Sequence, residues 1–146
     1  PITMYKGERG AMAAFVIAAY MGGIPMIYSS QEIGYAKTLS FFTNTVMDWN
    51  SNPSYTEEYQ KVMKAYTESA KARGGEITLY NTGDLVTIYY QGGLMVTVNT
   101  TGASVQVKTP MERSGDKAVN MMTGKQENIP SALSLDAYEY KIWKIE

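Results

Sequence analysis

A cluster of polar and aromatic residues follows a short apolar segment near the start of the chain. Ile24 to Tyr28 is almost continuously apolar, and Gln31, Glu32 and Tyr35 come soon after it. A short apolar run without polar alternation is typical of a strand buried on both faces, as in a parallel sheet. Folds with such sheets place their active sites just beyond the carboxyl ends of the strands. Glu32 is therefore a candidate functional carboxylate, and the alternative is a solvated side chain at the start of a loop.

The composition limits the types of catalytic side chain that could act together with Glu32. The 146 residues include no histidine and no cysteine, so this chain cannot supply thiolate nucleophiles, disulfides, imidazole bases or Cys/His zinc sites. Acid–base chemistry would have to use carboxylates, lysines or tyrosines. Thirteen Lys+Arg against fourteen Asp+Glu give a net charge of −1, which provides no electrostatic footprint for nucleic acid.

Other local patterns have simpler structural explanations. Glu57 and Glu58 are neighbours on a predicted helix, where successive side chains point about 100° apart, so they do not form a catalytic pair. Asn99-Thr100-Thr101 matches the N-glycosylation pattern, but a hairpin turn explains it fully. The sequence contains neither standard glycine-rich phosphate loop, and we expect no metal site.

The elements that must position Glu32 are predicted from local pattern. We predict a helix over residues 8–21, a strand over 24–29, a loop over 30–53 and a second helix over 55–73. Alanine and methionine favour the first helix, and the pair Gly22-Gly23 ends it. Ser54 to Glu57 is expected to be a capping box that begins the second helix. The apolar part of the first helix is shorter than the roughly twenty residues of a membrane span, so we expect a buried helix and no spanning segment.

The second half of the chain has the pattern of an all-β domain. From Glu76 the hydrophobic period changes to two, which predicts short strands. They cover residues 77–80, 85–90, 94–98, 105–107 and 138–145, with weaker strands at 118–122 and 133–135. Turn residues, such as those from Asn81 to Asp84, separate the strands. The pattern predicts an antiparallel sandwich over residues 75–146, with the boundary to the α/β part (1–74) at Gly74-Gly75.

One segment resembles the eighth barrel strand of the α-amylase family of glycoside hydrolases. The segment is Gly23-Ile24-Pro25-Met26-Ile27-Tyr28-Ser29-Ser30-Gln31-Glu32-Ile33-Gly34. In the family it typically has Gly-Ile-Pro, an apolar pair, Tyr-Tyr-Gly-Gln-Glu and a following Gly, so Ser29-Ser30 replaces the usual Tyr-Gly. The helices before and after it are similar to the seventh and eighth barrel helices. Two further stretches resemble the family's next loop and a strand of its C-terminal β-sandwich, namely Phe41-Phe42 with Asp48-Trp49, and Leu94 to Asn99.

The resemblance implies a fold and an activity. It implies an α+β chain, in which a helix–strand–helix remnant of a (β/α)8 barrel is followed by an antiparallel all-β sandwich. A complete parent enzyme would hydrolyse α-glucosidic bonds of starch-like glucans with retention, using one carboxylate as nucleophile and another as acid and base. In the family the three catalytic carboxylates lie on the fourth, fifth and seventh strands. They are therefore expected upstream of Pro1, and this C-terminal segment is expected to be inactive by itself.

Within the segment, the resemblance implies a substrate rim. The rim candidates are Tyr28, Gln31, Glu32 and Tyr35. No cofactor is expected in this segment, and calcium in a parent enzyme would have its ligands elsewhere. The expected partners are the α-glucan substrate and the upstream barrel of the same protein. No signal peptide is recognisable in this segment, so cytoplasmic and extracytoplasmic locations both stay open.

Two other hypotheses remain open for the β-region. It could be a glucan-binding module in which exposed tyrosines stack on sugar rings, with candidates Tyr80, Tyr89, Tyr90, Tyr138 and Tyr140. More often, alternating tyrosines fill the inner face of a sandwich. The region could also be purely structural and shield the end of the barrel.

The apolar character of the first fifty residues leads to one further expectation. The first helix is apolar on every side, and the predicted strand that follows has an apolar sequence that requires burial between neighbouring elements. Unpaired apolar strands and apolar helix surfaces favour association. We therefore expect residues 1–50 either to form a dimer or higher oligomer, or to be disordered.

Overall fold

The chain folds into two α-helices followed by eight β-strands in the computed structural model, which describes residues 2–40, 42–80, 82–83 and 85–146. Helix α1 is Glu8–Tyr20 and helix α2 is Pro53–Glu68, and one turn of 3-10 helix, Gln31–Ile33, lies in their connection. The strands are β1 Ile77–Tyr80, β2 Val86–Gln91, β3 Leu94–Asn99, β4 Val105–Lys108, β5 Lys117–Asn120, β6 Gln126–Asn128, β7 Ala132–Leu135 and β8 Tyr140–Ile145.

The strands form two antiparallel sheets. Six of them pair in the order β1-β2-β3-β8-β5-β6, and β4 pairs with β7 in a separate small sheet. Strand β3 is central, because Val96 pairs with Tyr89 on β2 and with Ile142 on β8. All seven strands predicted from sequence after Gly75 are present, with ends shifted by no more than two residues. Two antiparallel sheets agree with the sandwich-like arrangement predicted for this part of the chain.

The six-stranded sheet is covered on both faces. One face forms a buried cluster with both helices, and this cluster includes Val16, Tyr59, Tyr89, Val96 and Ile142. The other face packs against the small sheet in a second cluster that includes Ile88, Met95, Leu133, Leu135 and Trp143. Successive strand residues point to opposite faces, so β3 is buried along its whole length. The molecule therefore has three layers: the two helices, the large sheet and the small sheet.

Helix α2 begins differently from the prediction. The capping box predicted at Ser54 to Glu57 is wrong, because Asn52 is the N-cap and its Oδ1 accepts a hydrogen bond from the Tyr55 backbone N–H at 3.3 Å. Pro53 occupies the first turn, where its missing N–H is not needed and its fixed φ suits a helix. The helix ends at Glu68, and the residues that follow it, up to Arg73, form turns instead of the predicted continuation.

The strand predicted over residues 24–29 is absent. None of the strand pairs in the described ranges includes this segment. Its side chains are largely exposed, at 93% for Ile24, 74% for Met26 and 64% for Tyr28. A parallel strand requires neighbours on both sides and cover on both faces. The described residues supply no such neighbours, so of the predicted helix–strand–helix remnant only the two helices are present.

The rest of the connection agrees with the predicted loop. The described residues from 30 to 52 contain one 3-10 turn and otherwise irregular backbone, and helix α2 begins at Pro53. Phe41, Asn81 and Asp84, which contributed to predicted loop and turn motifs, lie outside the described residues. Strand β6 was not predicted, because its three residues are polar and exposed and show no alternation. No helix in the described ranges is long and apolar enough to cross a bilayer.

Candidate functional site

The predicted rim residues lie on a tight turn between residues 28 and 35. Ser29 and Ser30 have φ values of 24° and 64°, and Gly34 has 68°, so the backbone reverses direction through left-handed conformations. The Gln31 N–H donates to the Tyr28 carbonyl at 3.1 Å, and the Tyr35 N–H donates to the Ser30 carbonyl at 3.2 Å. Left-handed backbone is uncommon for serine, and such strain is concentrated at functional sites.

Helix α2 holds this turn in place. The Gln31 side-chain amide donates from Nε2 to the Tyr59 hydroxyl at 2.9 Å, and its Oε1 accepts from the Tyr28 N–H at 3.4 Å. The Thr56 hydroxyl donates to the Glu32 carbonyl at 3.1 Å. Gln31 is therefore fixed at both ends of its amide, which points to a positioning role for this side chain within the turn.

Glu32 has a different environment from the other rim candidates. Its Oε2 atom is buried and has no hydrogen-bond partner in the described part of the chain. An unpaired buried carboxylate oxygen is costly, so it normally has a donor nearby. Burial raises the pKa of the nearby Tyr59 phenol, and the negative charges of Glu32 and Glu58 add to this effect, which keeps Tyr59 protonated.

A cleft of about 290 Å³ brings three of the four rim candidates together. Its lining includes Tyr28, Gln31 and Tyr35, together with Lys37 and Thr38, and it does not include Glu32. The sequence prediction missed Lys37 and Thr38. The available signal was a cation and a hydroxyl directly after Tyr35 in a polar and aromatic loop.

The chemistry offered by this cleft is binding. Its lining combines aromatic rings, an amide, hydroxyls and one ammonium group, and it includes no carboxylate. Retaining glycoside hydrolysis requires two carboxyl groups about 5 Å apart. No cluster of three or more acidic, histidine or cysteine side chains that could hold a metal ion is found among the described residues.

The acidic side chains on the two helices take part in contacts that stabilise the fold. Glu58 receives two hydrogen bonds from the Arg9 guanidinium, at 2.7 and 2.8 Å, and one from the Tyr140 hydroxyl at 2.8 Å. This network joins α1, α2 and β8. Glu8 accepts from the Asn52 amide at 2.7 Å. Both carboxylates therefore link secondary-structure elements to each other.

The glycosylation pattern at Asn99 is explained by structure. Asn99 is fully buried, and its amide donates to the carbonyls of Ala103 and Asp136 at 2.8 Å each. Its Oδ1 accepts from the Thr101 N–H at 2.9 Å. This amide nitrogen is inaccessible and fully used, so Asn99 closes the loop after β3. The predicted hairpin is wrong, because the next strand, β4, pairs with β7 in the other sheet.

Comparison with solved structures identifies proteins of the same fold. The maltotriose complex of AmyP superposes with a TM-score of 0.75 and 20% identity over 95% of this chain and 35% of that chain. An α-amylase from Anoxybacillus gives 0.78 and 14% over 94% and 32%. The α-amylase GTA of Geobacillus thermoleovorans, solved with acarbose, gives 0.77 and 18% over 95% and 33%.

These matches confirm the sequence-based resemblance at the level of the fold. The chain spans about a third of the length of each of the three proteins. Nearly the whole chain, helices and sheets together, therefore has the fold of a segment of known α-amylases. No protein-family model and no curated protein sequence matches the chain.

Proposed function

We propose that this chain is the C-terminal portion of an α-amylase-type glycoside hydrolase that acts on α-glucosidic bonds of starch-like glucans. The observation that carries the proposal is the likeness in fold over about 95% of the chain, which spans only about a third of the neighbours. The order of motifs in the sequence supports it, because the segment from Gly23 to Gly34 precedes the second helix and the β-region. The ligands of the solved neighbours, maltotriose and acarbose, favour a glucan substrate.

The role of this portion in such an enzyme would be to position substrate and to support the barrel. The three catalytic carboxylates would lie upstream of Pro1, and hydrolysis would proceed with retention through a glycosyl ester. Tyr28, Gln31 and Tyr35 would line the rim of the substrate cleft, with Lys37 as an additional donor. The buried Oε2 of Glu32 would receive its hydrogen bond from a donor in the upstream barrel. Any calcium ion would take its ligands from outside this chain.

The proposal is tested by comparing this chain with a longer polypeptide from the same reading frame. We expect no release of reducing sugar from soluble starch by the chain alone, and hydrolysis by a version extended upstream through the carboxylate-bearing strands. If the frame opened at or next to Pro1, with no carboxylate-bearing region before it, the proposal would fail. Starch hydrolysis by the isolated chain would equally contradict it.

A structural role for the β-region is a second candidate. The specific observation in its favour is the buried cluster shared by both helices and the six-stranded sheet. Removing everything after Gly74 would expose that face of the helices. In a longer parent enzyme, lost solubility with unchanged activity per folded molecule would favour the structural role, whereas a raised KM for starch would favour glucan binding by the β-region.

A further inference from the structure

The five tyrosines considered as candidates for sugar stacking have different environments in the structure. Tyr89 and Tyr140 are buried in the main core, and the Tyr140 hydroxyl donates to Glu58. The ring of Tyr90 is covered by the Arg113 guanidinium at 4.1 Å from its centroid. The faces of these three rings are therefore committed to contacts within the fold.

Tyr138 has a different setting from the other candidates. Tyr80 packs against the cluster between the two sheets, and its hydroxyl interacts with Arg113. Tyr138 is half-buried against the main core cluster, but it also borders an open cavity, and none of the hydrogen bonds in the described ranges uses its hydroxyl. It is the tyrosine of the five that combines a cavity with an unpartnered hydroxyl.

This cavity, which we call the α1–β3 cavity, has a volume of about 390 Å³. Its floor consists of small and aliphatic residues of α1, including Ala13, Ala14 and Ile17. The loop after β3 contributes Thr100 and Thr101 to the lining. The volume falls within the range of ordinary small-molecule sites, which are mostly apolar with a few polar groups.

The segment before α1 contributes a second aromatic residue to the lining of the cavity. Tyr5 and Lys6 line the cavity, and 44% of the Tyr5 surface is exposed. Gly10 allows this segment to lie directly on the helix, because a Cβ there would overlap the Tyr5 carbonyl. The Gly7 N–H closes the turn by donating to the Ile2 carbonyl at 2.8 Å. Tyr5 and Tyr138 therefore both contribute to the lining of the cavity.

Two residues with strained backbone line this cavity. Among the described residues, four non-glycine residues have positive φ: Lys6 (61°) and Tyr138 (56°) line this cavity, and Ser29 and Ser30 line the rim cleft. The Tyr138 N–H donates to the Thr101 carbonyl at 3.0 Å, which holds the strained residue in place. Strained backbone persists where the surroundings fix it, and it often marks a pre-organised binding site.

The polar groups of the cavity suit a neutral polyhydroxyl ligand. The Lys6 ammonium and the hydroxyls of Tyr5 and Tyr138 have no partners within the described part of the chain and can donate. The hydroxyls of Thr100 and Thr101 donate to backbone carbonyls at 3.1 Å and keep lone pairs that can accept. Aromatic rings pack against the apolar C–H face of a sugar, while its hydroxyls use the donors and acceptors at the rim.

We propose that the α1–β3 cavity is a binding site for a short α-glucan segment, held by stacking on the lining tyrosines Tyr5 and Tyr138 and by hydrogen bonds from Lys6. The choice of α-glucan rests on the proposed function. The site itself is additional to the rim cleft around Tyr28 to Tyr35. Glucan would bind where the helical layer and the β-region meet.

Titration of the isotope-labelled chain with maltotriose, followed by amide NMR shifts, tests this proposal. We expect saturable shifts at Gly10, Thr101 and Gly102 at millimolar ligand. Tyr138→Ala should weaken binding about five- to tenfold through loss of one stacking ring. Tyr138→Phe keeps the ring and should stay within about threefold of the original affinity, since a single neutral hydrogen bond contributes little net free energy.

Two further variants keep the test decisive. Ala14→Leu fills the cavity from the helix surface, and it should abolish the shifts even if Tyr138→Ala fails to fold. Trp49→Ala removes an aromatic side chain that is 55% exposed and lies outside the cavity lining, and it should leave the affinity unchanged. Folding of each variant is checked by its far-ultraviolet circular dichroism.

The contrary results are equally specific. Unchanged affinity in folded Ala14→Leu, shifts confined to residues 28–35, or no saturable shift would overturn the site. Equal binding of cellobiose would overturn the α-glucan assignment. Because this readout needs no hydrolysis, binding can fail while the hydrolase proposal stands, and the hydrolase proposal can fail while binding stands.

Discussion

At the scale of single residues, a close backbone approach at Gly92 joins the two halves of the chain. Gly92 lies in the turn between β2 and β3 with φ of 66°, and a Cβ at this position would overlap the carbonyl oxygen of Ala72. Ala72 belongs to the turns that follow α2, so the hairpin rests directly on the end of the helical part. Only a residue without a Cβ satisfies both the left-handed backbone and this contact.

Replacing Gly92 by alanine tests this contact, with Gly124 as a matched control. Gly124 has a similar φ of 72° but open space around it, so Gly124→Ala should cost only about 1–2 kcal/mol for left-handed backbone. Gly92→Ala should reduce the free energy of unfolding by about 1–3 kcal/mol more, because backbone atoms must move apart. Urea denaturation of both variants measures the difference. Equal losses would show that the contact with Ala72 is unimportant.

At the scale of elements, seven strands of the sheets were predicted correctly, whereas the strand predicted at residues 24–29 is absent. The pattern from Leu94 to Asn99 and from Tyr140 to Ile145 is satisfied by partners within the same chain. Ile24 to Tyr28 has an equally apolar pattern, but local sequence does not reveal whether neighbouring strands are available. A hydrophobic pattern therefore indicates that a segment needs to be buried, but the segment forms a strand only where a neighbouring strand can pair with it.

In the candidate site, too, sequence predicted local proximity but not contacts between distant elements. Sequence placed Tyr28, Gln31 and Tyr35 near each other, because they are close along the chain, and they do line one cleft. The bond from Gln31 to Tyr59 spans two elements and has no local signature. The cavity at Tyr138 likewise depends on a contact between α1 and a distant loop, so it emerges only from the three-dimensional structure.

The start of α2 provides a direct test between the predicted and the observed cap. Asn52→Ala should lower the free energy of unfolding by about 1 kcal/mol, since Asn52 accepts the Tyr55 N–H and also donates to Glu8. Ser54→Ala should change it by only a few tenths of a kcal/mol, because Ser54 is exposed and its hydroxyl only donates to the capping Asn52 Oδ1 at 3.3 Å. Thermal or urea unfolding of the two variants decides between them. A larger loss for Ser54→Ala would restore the capping box.

At the scale of the whole molecule, buried tyrosines should determine how stability depends on pH. Burial raises the pKa of the phenols of Tyr20, Tyr55, Tyr59, Tyr89 and Tyr140 in the folded chain above the ordinary value near 10. Above that pH the unfolded chain loses these protons first and binds fewer protons than the folded chain. Stability from these groups is therefore complete below about pH 10 and is lost as the pH rises.

Urea unfolding between pH 6 and pH 11 measures this dependence. We expect little change from pH 6 to 8, since the chain has no histidine, and a steep loss above pH 10. Each affected tyrosine contributes up to about 1.4 kcal/mol per pH unit. Tyr89→Phe removes one such group, whose hydroxyl makes only a long 3.5 Å contact with the Val16 carbonyl, and should make the loss shallower. An unchanged slope in this variant would contradict the assignment.

The exposed apolar segment at residues 24–28 has a consequence for assembly. Ile24 and Met26 are 93% and 74% exposed, and Val46 and Phe42 in the same half of the chain are 95% and 96% exposed. Apolar surface of this extent favours association, and an unpaired extended segment can add to a strand of another molecule. In the proposed parent enzyme the upstream barrel would cover this segment. In this chain by itself, a second copy of the chain can cover the exposed apolar segment.

We therefore predict a concentration-dependent dimer or higher oligomer through residues 1–50, measured by light scattering coupled to size exclusion. The double variant Ile24→Ser with Met26→Ser should shift the chain toward monomer, because it removes the apolar contact while leaving the buried cores untouched. Met111→Ser is the matched control, since Met111 is 89% exposed on the β-region and should not affect association. A wild-type chain that stays monomeric at the highest soluble concentration would contradict the prediction. Loss of association on adding the proposed upstream region would support the proposed parent enzyme, because intramolecular cover then replaces the second copy.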